Sequence, residues 1–598
     1  MIVSVAPLLR LPRTVDVFDY RITRRAMVQT GSVVLVRFRQ KRLLGIVLGQ
    51  VKHSTVPFER LRDIEGIISE VSLLPGPQLQ ALMAVARDSF TSVSTALRSV
   101  IPYFPLNANL KLTSLAADRP EPRLRPELDR ETNSPIRTTI VAYLKDQTKL
   151  AWYRSLGTMV TRASASLLVL TPTIERAQRL QRFFPKSILY HQRLSATQRR
   201  AAFLNIRQQP GALVIGTRSA VFAPVQRLGL IIIDDEHADA HVQEEPSPRY
   251  DDRAVAELLA RASGAKLILT SRLPSLLSTA RHPVSRHLDR HQPGRLEFLD
   301  LELARRSGDF NIITEAARGA ITKCLQQGNR VVIIHHRRTL YGSLECQDCG
   351  YVPTCQTCSV PMADEGAVLK CRHCGTESAI PRSCPRCRGT LKGRGRGIPH
   401  VRRELLALPG LSPHDLTKTS VIIPSESDEL ESDVFSLALI TRLDSLMSVP
   451  RADAEERLRR LLITLLGKLP TNGTLLVQGS ARLRAVTASL FDESWRRDAR
   501  IMRQRFGYPP ALQLLLLRRR ADARSRGLTP EELVLALRRH SAEVTAVGPF
   551  PSRGRSRLDR GGSAIVLRYN QNLPDPIKSI LRSLDEGWTI THNPVELR

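Results

Sequence analysis

The chain has 598 residues, with 89 Lys and Arg against 57 Asp and Glu, a formal net charge of +32. A chain of that length divides into about three to five domains, each with its own core. The positive excess is spread along the chain rather than confined to a tail, which points to a polyanion partner, nucleic acid first, with ribosomes and anionic membrane surfaces as alternatives. The most apolar runs, Leu228–Ile233 and Leu512–Leu517, fall far below the roughly 20 residues of a spanning helix, so no membrane insertion is expected. Met1–Pro12 has no basic leader ahead of its apolar residues, and Arg10 interrupts them, so a cytoplasmic chain with reduced thiols is expected.

In chain order, residues 1–104 form a β-rich domain. The alternation in Gly31–Leu48 predicts paired strands, and a helical stretch runs from Gln78 to Leu97. Residues 105–135, rich in Pro, Arg, Asp and Glu, lack a sustained period and read as a linker. From 136 to 300, short apolar runs at Thr139–Leu144, Leu167–Thr171, Leu213–Gly216, Leu228–Asp234 and Lys266–Thr270 alternate with helical patterns. Such alternation means parallel β-α-β units. A second unit of this kind spans 301–345 and 395–490, with strands at Arg330–His335, Ser420–Ile423 and Gly473–Gln478, interrupted by a cysteine-rich insertion at 346–394. Residues 491–598 mix a helix, Pro530–Arg539, with a strand, Ser563–Arg568. The expected fold class is α/β with a small α+β carboxy-terminal domain.

Of nine cysteines, all but Cys324 fall into four Cys-x-x-Cys pairs: Cys346 and Cys349, Cys355 and Cys358, Cys371 and Cys374, Cys384 and Cys387. Four thiolates close a tetrahedral zinc shell, so the block reads as two structural zinc sites, two ions per chain. Gly350, Gly375 and Gly389 follow three of the pairs and supply the positive φ that turns amides back toward sulfur. Disulfides are the alternative, and they need an oxidising compartment. The adjoining run Arg382–Arg396, with Arg386, Arg388, Arg394 and Arg396, suits phosphate contact from a rigid turn. Arg518–Arg526 is a second basic stretch.

The segments Gly216–Pro224 (GTRSAVFAP), Leu228–His237 (LGLIIIDDEH) and Pro248–Tyr250, with Phe18–Tyr20 (FDY), His336–Arg338 and Phe506–Pro510 (FGYPP), resemble the PriA family of replication-restart helicases in order and spacing. The resemblance implies two motor lobes of the RecA type carrying the two-zinc insertion, behind an amino-terminal domain that holds a 3′ DNA end. It implies Cys346, Cys349, Cys384 and Cys387 on one zinc, and Cys355, Cys358, Cys371 and Cys374 on the other, with His373 not a ligand. It places Phe18, Asp19, Tyr20 and Arg62 in the strand-end pocket, where Arg39 replaces the pocket glycine. Aromatic rings there stack on a base while the carboxylate accepts from a 3′ hydroxyl. Core packing in a β-domain remains the other reading of Phe18 and Tyr20. The winged helix of the family has only residues 105–135 in its place.

Nucleotide chemistry departs from the family pattern. Where a glycine-rich phosphate loop belongs, the chain reads Lys145-Asp146-Gln147-Thr148-Lys149-Leu150: no glycine, Leu150 in place of the Mg²⁺-binding hydroxyl, and Lys149 at the phosphate lysine. Asp234 keeps the metal-binding carboxylate, but Asp235 shortens the Glu that orients water, and Glu236 and His237 do not restore it. Leu273 in Thr270–Ser275 (TSRLPS) replaces the coupling threonine, and Thr464, Gly467 and Lys468 stand where a glutamine and an arginine finger belong. ATP and Mg²⁺ are therefore not expected as cofactors, and Lys149 and Asp234–His237 are remnants.

The first reading is thus a monomeric, nucleoid-associated binder of forked or single-stranded DNA. It would scaffold the primosome, the loading of the replicative helicase and single-stranded DNA-binding protein. An active ATP-dependent 3′-to-5′ helicase with an unrecognised loop, and an RNA-binding zinc protein on a repurposed fold, are the two alternatives.

Overall fold

The computed structural model describes residues 1–22, 28–106, 112, 125–134, 137–289, 294–335, 344–357, 361–365, 367–371, 375–393, 397–412, 414, 419–422, 435–447, 451–522, 527–540, 544–553, 560–570 and 572–594. Residues 1–142, 150–287 and 498–598 form one compact unit, and residues 143–149 and 288–497 form a second.

The first unit begins with β1 (Ile2–Pro7), β2 (Phe18–Arg21), β3 (Val33–Phe38), β4 (Lys41–Val51) and β5 (Gly66–Ser69), an antiparallel sheet in the order β2-β1-β4-β3-β5. The paired strands expected in Gly31–Leu48 are β3 and β4, with Phe38 opposite Lys41 across a two-residue turn. Such a turn needs a left-handed residue, and Arg39 takes φ +53°. The helix expected over Gln78–Leu97 is two helices, α1 (Gly76–Asp88) and α2 (Val93–Val100). Phe90 at φ +51° breaks the path, and Ser92 caps α2 by accepting from the Thr95 amide.

The expected linker contains α3 (Arg125–Glu131), and this helix is fastened down. The buried Lys266 ammonium lies 2.6 Å from Asp129, and the Trp152 indole donates to Glu131 at 3.1 Å. The charges that made 105–135 look like a loop are, over its last part, anchors for a polar helix. Most of the remainder lies outside the described residues.

The larger sheet of this unit comprises β6 (Thr138–Ala142), β7 (Ser166–Leu170), β8 (Ile188–Tyr190), β9 (Leu213–Gly216) and β10 (Leu228–Ile233). After a short antiparallel pair, β11 (Val242–Gln243) and β12 (Tyr250–Asp251), β13 (Lys266–Ser271) and β14 (Val284–His287) complete it. Its order is β14-β6-β13-β10-β7-β9-β8, parallel throughout. Every residue of β7 and β13 is buried, as expected of strands covered by helices on both faces. One apolar core runs from Val33, Ile46 and Leu82 into Leu168, Ile231 and Leu267, and the buried Arg207 donates to the Ser72 carbonyl at 2.8 Å. Burial holds the Arg207 pKa down to about 10.

In the second unit, β15 (Arg295–Asp300) lies ahead of the boundary expected at residue 301 and belongs to the second parallel sheet. With β16 (Val331–Ile334), this sheet is interrupted by small antiparallel pieces around the cysteines: β17 (Leu344–Cys346), β18 (Ala363–Asp364), β19 (Leu369–Lys370), β20 (Glu377–Ser378) and β21 (Leu391–Gly393). It resumes with β22 (Thr419–Ile422), β23 (Leu437–Ile440) and β24 (Thr474–Gly479), giving the order β15-β24-β23-β16-β22. The carboxy-terminal residues of the first unit close on an antiparallel sheet of β25 (Gln513–Arg519), β26 (Val544–Arg553), β27 (Arg560–Tyr569) and β28 (Trp588–His592). Helices Pro530–Arg538 and Asp575–Ser583 pack on it through Leu533, Leu537, Ile577 and Leu581. Arg519, counted in the second basic stretch, is buried there against the Trp588 ring, so it serves the core rather than a surface; residues 523–526 lie outside the described set. Among the described residues no helix is long and apolar enough to cross a membrane.

Candidate functional site

In open α/β sheets, ligands bind beyond the carboxyl ends of the strands. At that edge of the seven-stranded sheet, Asp234 follows β10, Thr171 follows β7 and Arg272 follows β13. The three acidic residues are buried, Asp234 and Glu236 0% exposed and Asp235 3% exposed, while His237 is half-buried. Each carboxylate is held by the protein. Arg176 places Nε 2.5 Å from Asp234 and Nη2 2.8 Å from Asp235, and Tyr153 donates its hydroxyl to Asp234 at 2.8 Å. Glu236 accepts from the Ser275 amide and hydroxyl at 2.7 and 2.9 Å and from the Ser278 hydroxyl at 2.6 Å, while His237 Nδ1 pairs with the Ser271 hydroxyl at 2.7 Å. Asp235 sits at φ +51°, a backbone conformation that Asp tolerates better than most residues. The guanidinium of Arg176 therefore supplies the positive charge that a metal ion would bring to this carboxylate pair. Sequence reasoning missed Arg176, because nothing local marks a helical arginine as the partner of a distant strand end. Leu273 is buried, as is its neighbour Arg272.

The segment in the place of a phosphate loop is held within the second unit. The Leu144 and Lys145 amides donate to the Asp289 carboxylate at 2.7 and 2.8 Å. Lys149, 1% exposed, reaches the Tyr143 hydroxyl at 3.1 Å and lies 3.7 Å from Asp146. Lys468, 0% exposed at the end of helix Ala454–Lys468, comes to 3.5 Å from the other oxygen of Asp146. Both buried lysines thus lie near one carboxylate, which helps to offset the burial of their ammonium groups. Leu150, in place of the Mg²⁺-binding hydroxyl, is half-buried. Thr464 is buried in the same helix, and Gly467 permits a close approach: a Cβ there would stand 2.4 Å from the Leu144 carbonyl oxygen. Gly467→Ala is expected to destabilise this unit by about 2–3 kcal/mol, because backbone cannot retreat as a flexible side chain can. A lowered urea midpoint with unchanged slope is the measurement.

The cysteines form a second site. Antiparallel pairing of β17 with β21 brings the two ends of the insertion together, and the sulfurs of Cys346, Cys349, Cys384 and Cys387 all lie within 4.8 Å of one another. Cys346 stands 3.4 Å from Cys387 and Cys349 3.6 Å from Cys384. Three knuckles share one backbone pattern. The amide of the residue after each pair returns to the first cysteine's carbonyl: Gly350 to Cys346 at 3.0 Å, Gly375 to Cys371 at 2.7 Å and Arg388 to Cys384 at 2.8 Å. That residue takes positive φ, +70° at Gly350 and +71° at Gly375. In the last knuckle it is Arg388, at +62°, not Gly389 as expected. Gly389 lies against the Asp348 side chain: a Cβ there would stand 1.8 Å from its carboxylate, which would have to swing away.

Amide hydrogen bonds from Cys349 and Asp348 bring the Cys346 thiol down to about 7, while Cys387, although its sulfur accepts from the Gly389 amide, is pushed up to about 12 by its neighbouring sulfurs. Four sulfurs this close cannot all ionise without a cation among them, and a soft, tetrahedral ion fits the donor set. The cluster can hold a metal ion. Of the inner set, Cys355 and Cys371 are buried around Leu344, Met362 and Leu369, whereas Cys358 and Cys374 lie outside the described residues, as do His373, His336–Arg338, Arg394 and Arg396. Arg386 and Arg388 are exposed on the last knuckle.

At the amino terminus, β1–β2 pairing sets Ser4 opposite Asp19 and Val3 opposite Tyr20. Alternation sends Tyr20 (4% exposed) into the core with Val3, Val5 and Val36, and its hydroxyl donates to the Arg37 carbonyl at 3.3 Å. Burial raises the Tyr20 pKa, with the Arg62 charge pulling the other way. Core packing thus accounts for Tyr20. Phe18 is half-buried and meets Phe38 edge-on at 4.8 Å, Asp19 accepts from Ser4 and Ser54 hydroxyls, and Arg62 is exposed.

Residues 7–102 match the family described as 3'DNA-binding domain (3'BD). Among curated proteins, the chain is similar to the replication restart protein PriA of Thermotoga maritima, 33% identical over 243 residues, 40% of this chain and 32% of that one. It is 30% identical over 408 residues to the Helicobacter pylori PriA, covering 64% of this chain and 61% of the relative. The Bacillus subtilis PriA is 25% identical over 452 residues, 68% of this chain and 55% of the relative. The chain therefore spans about a third to three fifths of the length of these relatives. Among solved structures, RecG bound to a three-way DNA junction gives a TM-score of 0.31 at 12% identity, over 63% of this chain and 45% of that one. Taken with the motifs in their expected order, the sequence matches make the chain similar to the PriA family of replication restart proteins over part of its members' length.

Proposed function

We propose that the chain is a DNA-binding member of this family that acts in replication restart by binding forks and scaffolding helicase loading in the cytoplasm, and that it has lost ATP hydrolysis. The observation that carries the loss is the state of the remnant. Arg176 neutralises the carboxylate pair that would hold Mg²⁺, and Lys149 and Lys468 lie buried near Asp146 of the phosphate-loop segment. A backbone without glycine cannot crowd its amides around a triphosphate. DNA binding is supported by the match of residues 7–102, by the +32 charge and by exposed Arg386 and Arg388 on a turn stiffened by the cysteine cluster. In this reading Cys346, Cys349, Cys384 and Cys387 hold one zinc ion, and Cys355, Cys358, Cys371 and Cys374 a second.

Purified protein is expected to bind forked DNA with an affinity that falls steeply as salt rises, because phosphate contacts release counterions. It is expected to release no phosphate from ATP above the buffer rate, with or without forks. DNA-stimulated turnover abolished by Asp234→Ala would establish the active helicase instead. Tighter binding of structured RNA than of forks would favour the RNA-binding alternative.

A further inference from the structure

The residue that closes a knuckle turn is glycine in two of the three, Gly350 at φ +70° and Gly375 at φ +71°. In the last knuckle it is Arg388, at φ +62°, although a glycine follows at once. A side chain with a Cβ is disfavoured in that region and glycine is not, so the turn itself gains nothing from arginine. Strain of this kind persists where the side chain serves something other than the turn. The surroundings say what that is. Between Ser378 and Arg403 the chain carries eight Lys and Arg and no Asp or Glu. Arg382, Arg386, Arg388 and Lys392 are all exposed, and among the described residues none has a carboxylate partner. The backbone beneath them is fixed. The Arg386 amide donates to the Cys384 sulfur at 3.4 Å, the Arg388 amide to the Cys384 carbonyl at 2.8 Å, and Lys392 stands opposite Glu345 in the β17–β21 ladder. No Phe, Tyr or Trp occurs between Tyr351 and Phe435, so this surface offers cations and no aromatic ring.

Resting on the DNA-binding reading above, we infer that the outer knuckle grips the phosphates of a duplex arm of the fork without reading its bases, and that Arg388 holds its left-handed position for the sake of this contact. Single strands are held by rings that stack on unpaired bases together with cations. A surface of cations alone suits the paired backbone, where phosphates are dense and the bases are turned inward. The forked donors of a guanidinium match two phosphate oxygens. Arg388 thus trades stability of the knuckle for affinity, and Arg388→Gly separates the two.

The test uses the full-length, zinc-loaded protein and fluorescence anisotropy on a blunt duplex and on an oligothymidine strand with the same number of phosphates. Arg388→Gly is expected to weaken duplex binding about fivefold and single-strand binding by less than about twofold. It should also flatten the fall of log affinity with log salt on the duplex by about 0.9, the loss of one phosphate contact. Zinc should leave the same variant for a chelator at least about fivefold more slowly, since glycine relieves the turn. Arg388→Lys keeps both the charge and the Cβ, and should keep the wild-type salt slope. Unchanged duplex affinity in Arg388→Gly, an equal loss on the single strand, or zinc release no slower than wild type overturns the proposal and leaves the DNA-binding reading standing. Failure of the wild-type chain to bind either DNA overturns both.

Discussion

If the insertion holds two zinc ions as proposed, replacing Cys384 with serine is expected to lower the zinc content from two ions per chain to one and to unfold the outer knuckles, around Cys346–Cys349 and Cys384–Cys387. The reason lies in how little else holds this segment. Its strands are two or three residues long, and its apolar cluster consists of Leu344, Met362 and Leu369 with two of the cysteines themselves. A cluster of that size contributes only a few kcal/mol of burial, at about 1.5–3 kcal/mol per large side chain. A structural zinc site contributes an apparent 10–16 kcal/mol or so, and the ligands meet only in the folded state, so at each site metal binding and local folding are one event. Cys384 is buried and its sulfur also accepts from the Arg386 amide at 3.4 Å, so serine loses a ligand and the knuckle geometry together. Metal analysis and limited proteolysis give the two readouts. Cys355→Ser should remove the other ion while leaving the outer site loaded; loss of both ions from either substitution would mean that the eight thiolates do not divide into two sets of four. Because Arg386 and Arg388 ride on the outer site, Cys384→Ser should also weaken fork binding, whereas Cys355→Ser should do so less.

Legibility followed the strength of the local signal. Strands β6, β7, β9, β10 and β13 could be placed to within about two residues, because buried parallel strands are unbroken Val, Ile and Leu runs set off by helical periods. The four sulfurs of the outer site could be grouped only through the family resemblance; the short β17–β21 ladder is what brings them together in space. Other features had no local mark. The break between α1 and α2 hangs on one left-handed residue, Phe90, of a type that rarely takes that conformation. Helix α3 looked like linker because its value to the fold is ionic, through Lys266 and Asp129, and the lysine lies in a strand far along the chain. The missing glycines of the phosphate loop could be read directly, but what replaced them could not. Pairings such as Lys468 with Asp146 and Arg176 with Asp234 join residues that only the fold makes neighbours.

That last pairing carries the second large expectation. Arg176→Ala should destabilise the chain by about 3–5 kcal/mol, since it removes the guanidinium paired with two buried carboxylates, and such a loss exceeds that of cutting an exposed pair several-fold. Asp234 and Asp235 have side chains 0% and 4% exposed, and Arg176 is itself 15% exposed, so water cannot take over the role of the guanidinium without opening the strand end. The expected readout is a fall in the urea midpoint with little change in slope. If the penalty is electrostatic, removing the carboxylates should return much of it. The triple variant Arg176→Met with Asp234→Asn and Asp235→Asn is then expected to be more stable than Arg176→Ala alone, a coupling that additive losses cannot produce. A structural arginine that merely packs would show no such rescue. The same pair of experiments tests the motor: if Arg176 only screens an otherwise competent site, Arg176→Ala should gain Mg²⁺-dependent ATP turnover. With Leu150 in place of the hydroxyl and no glycine after β6, the expected turnover remains zero, which separates a remnant whose charge has been re-used for stability from a motor held in check.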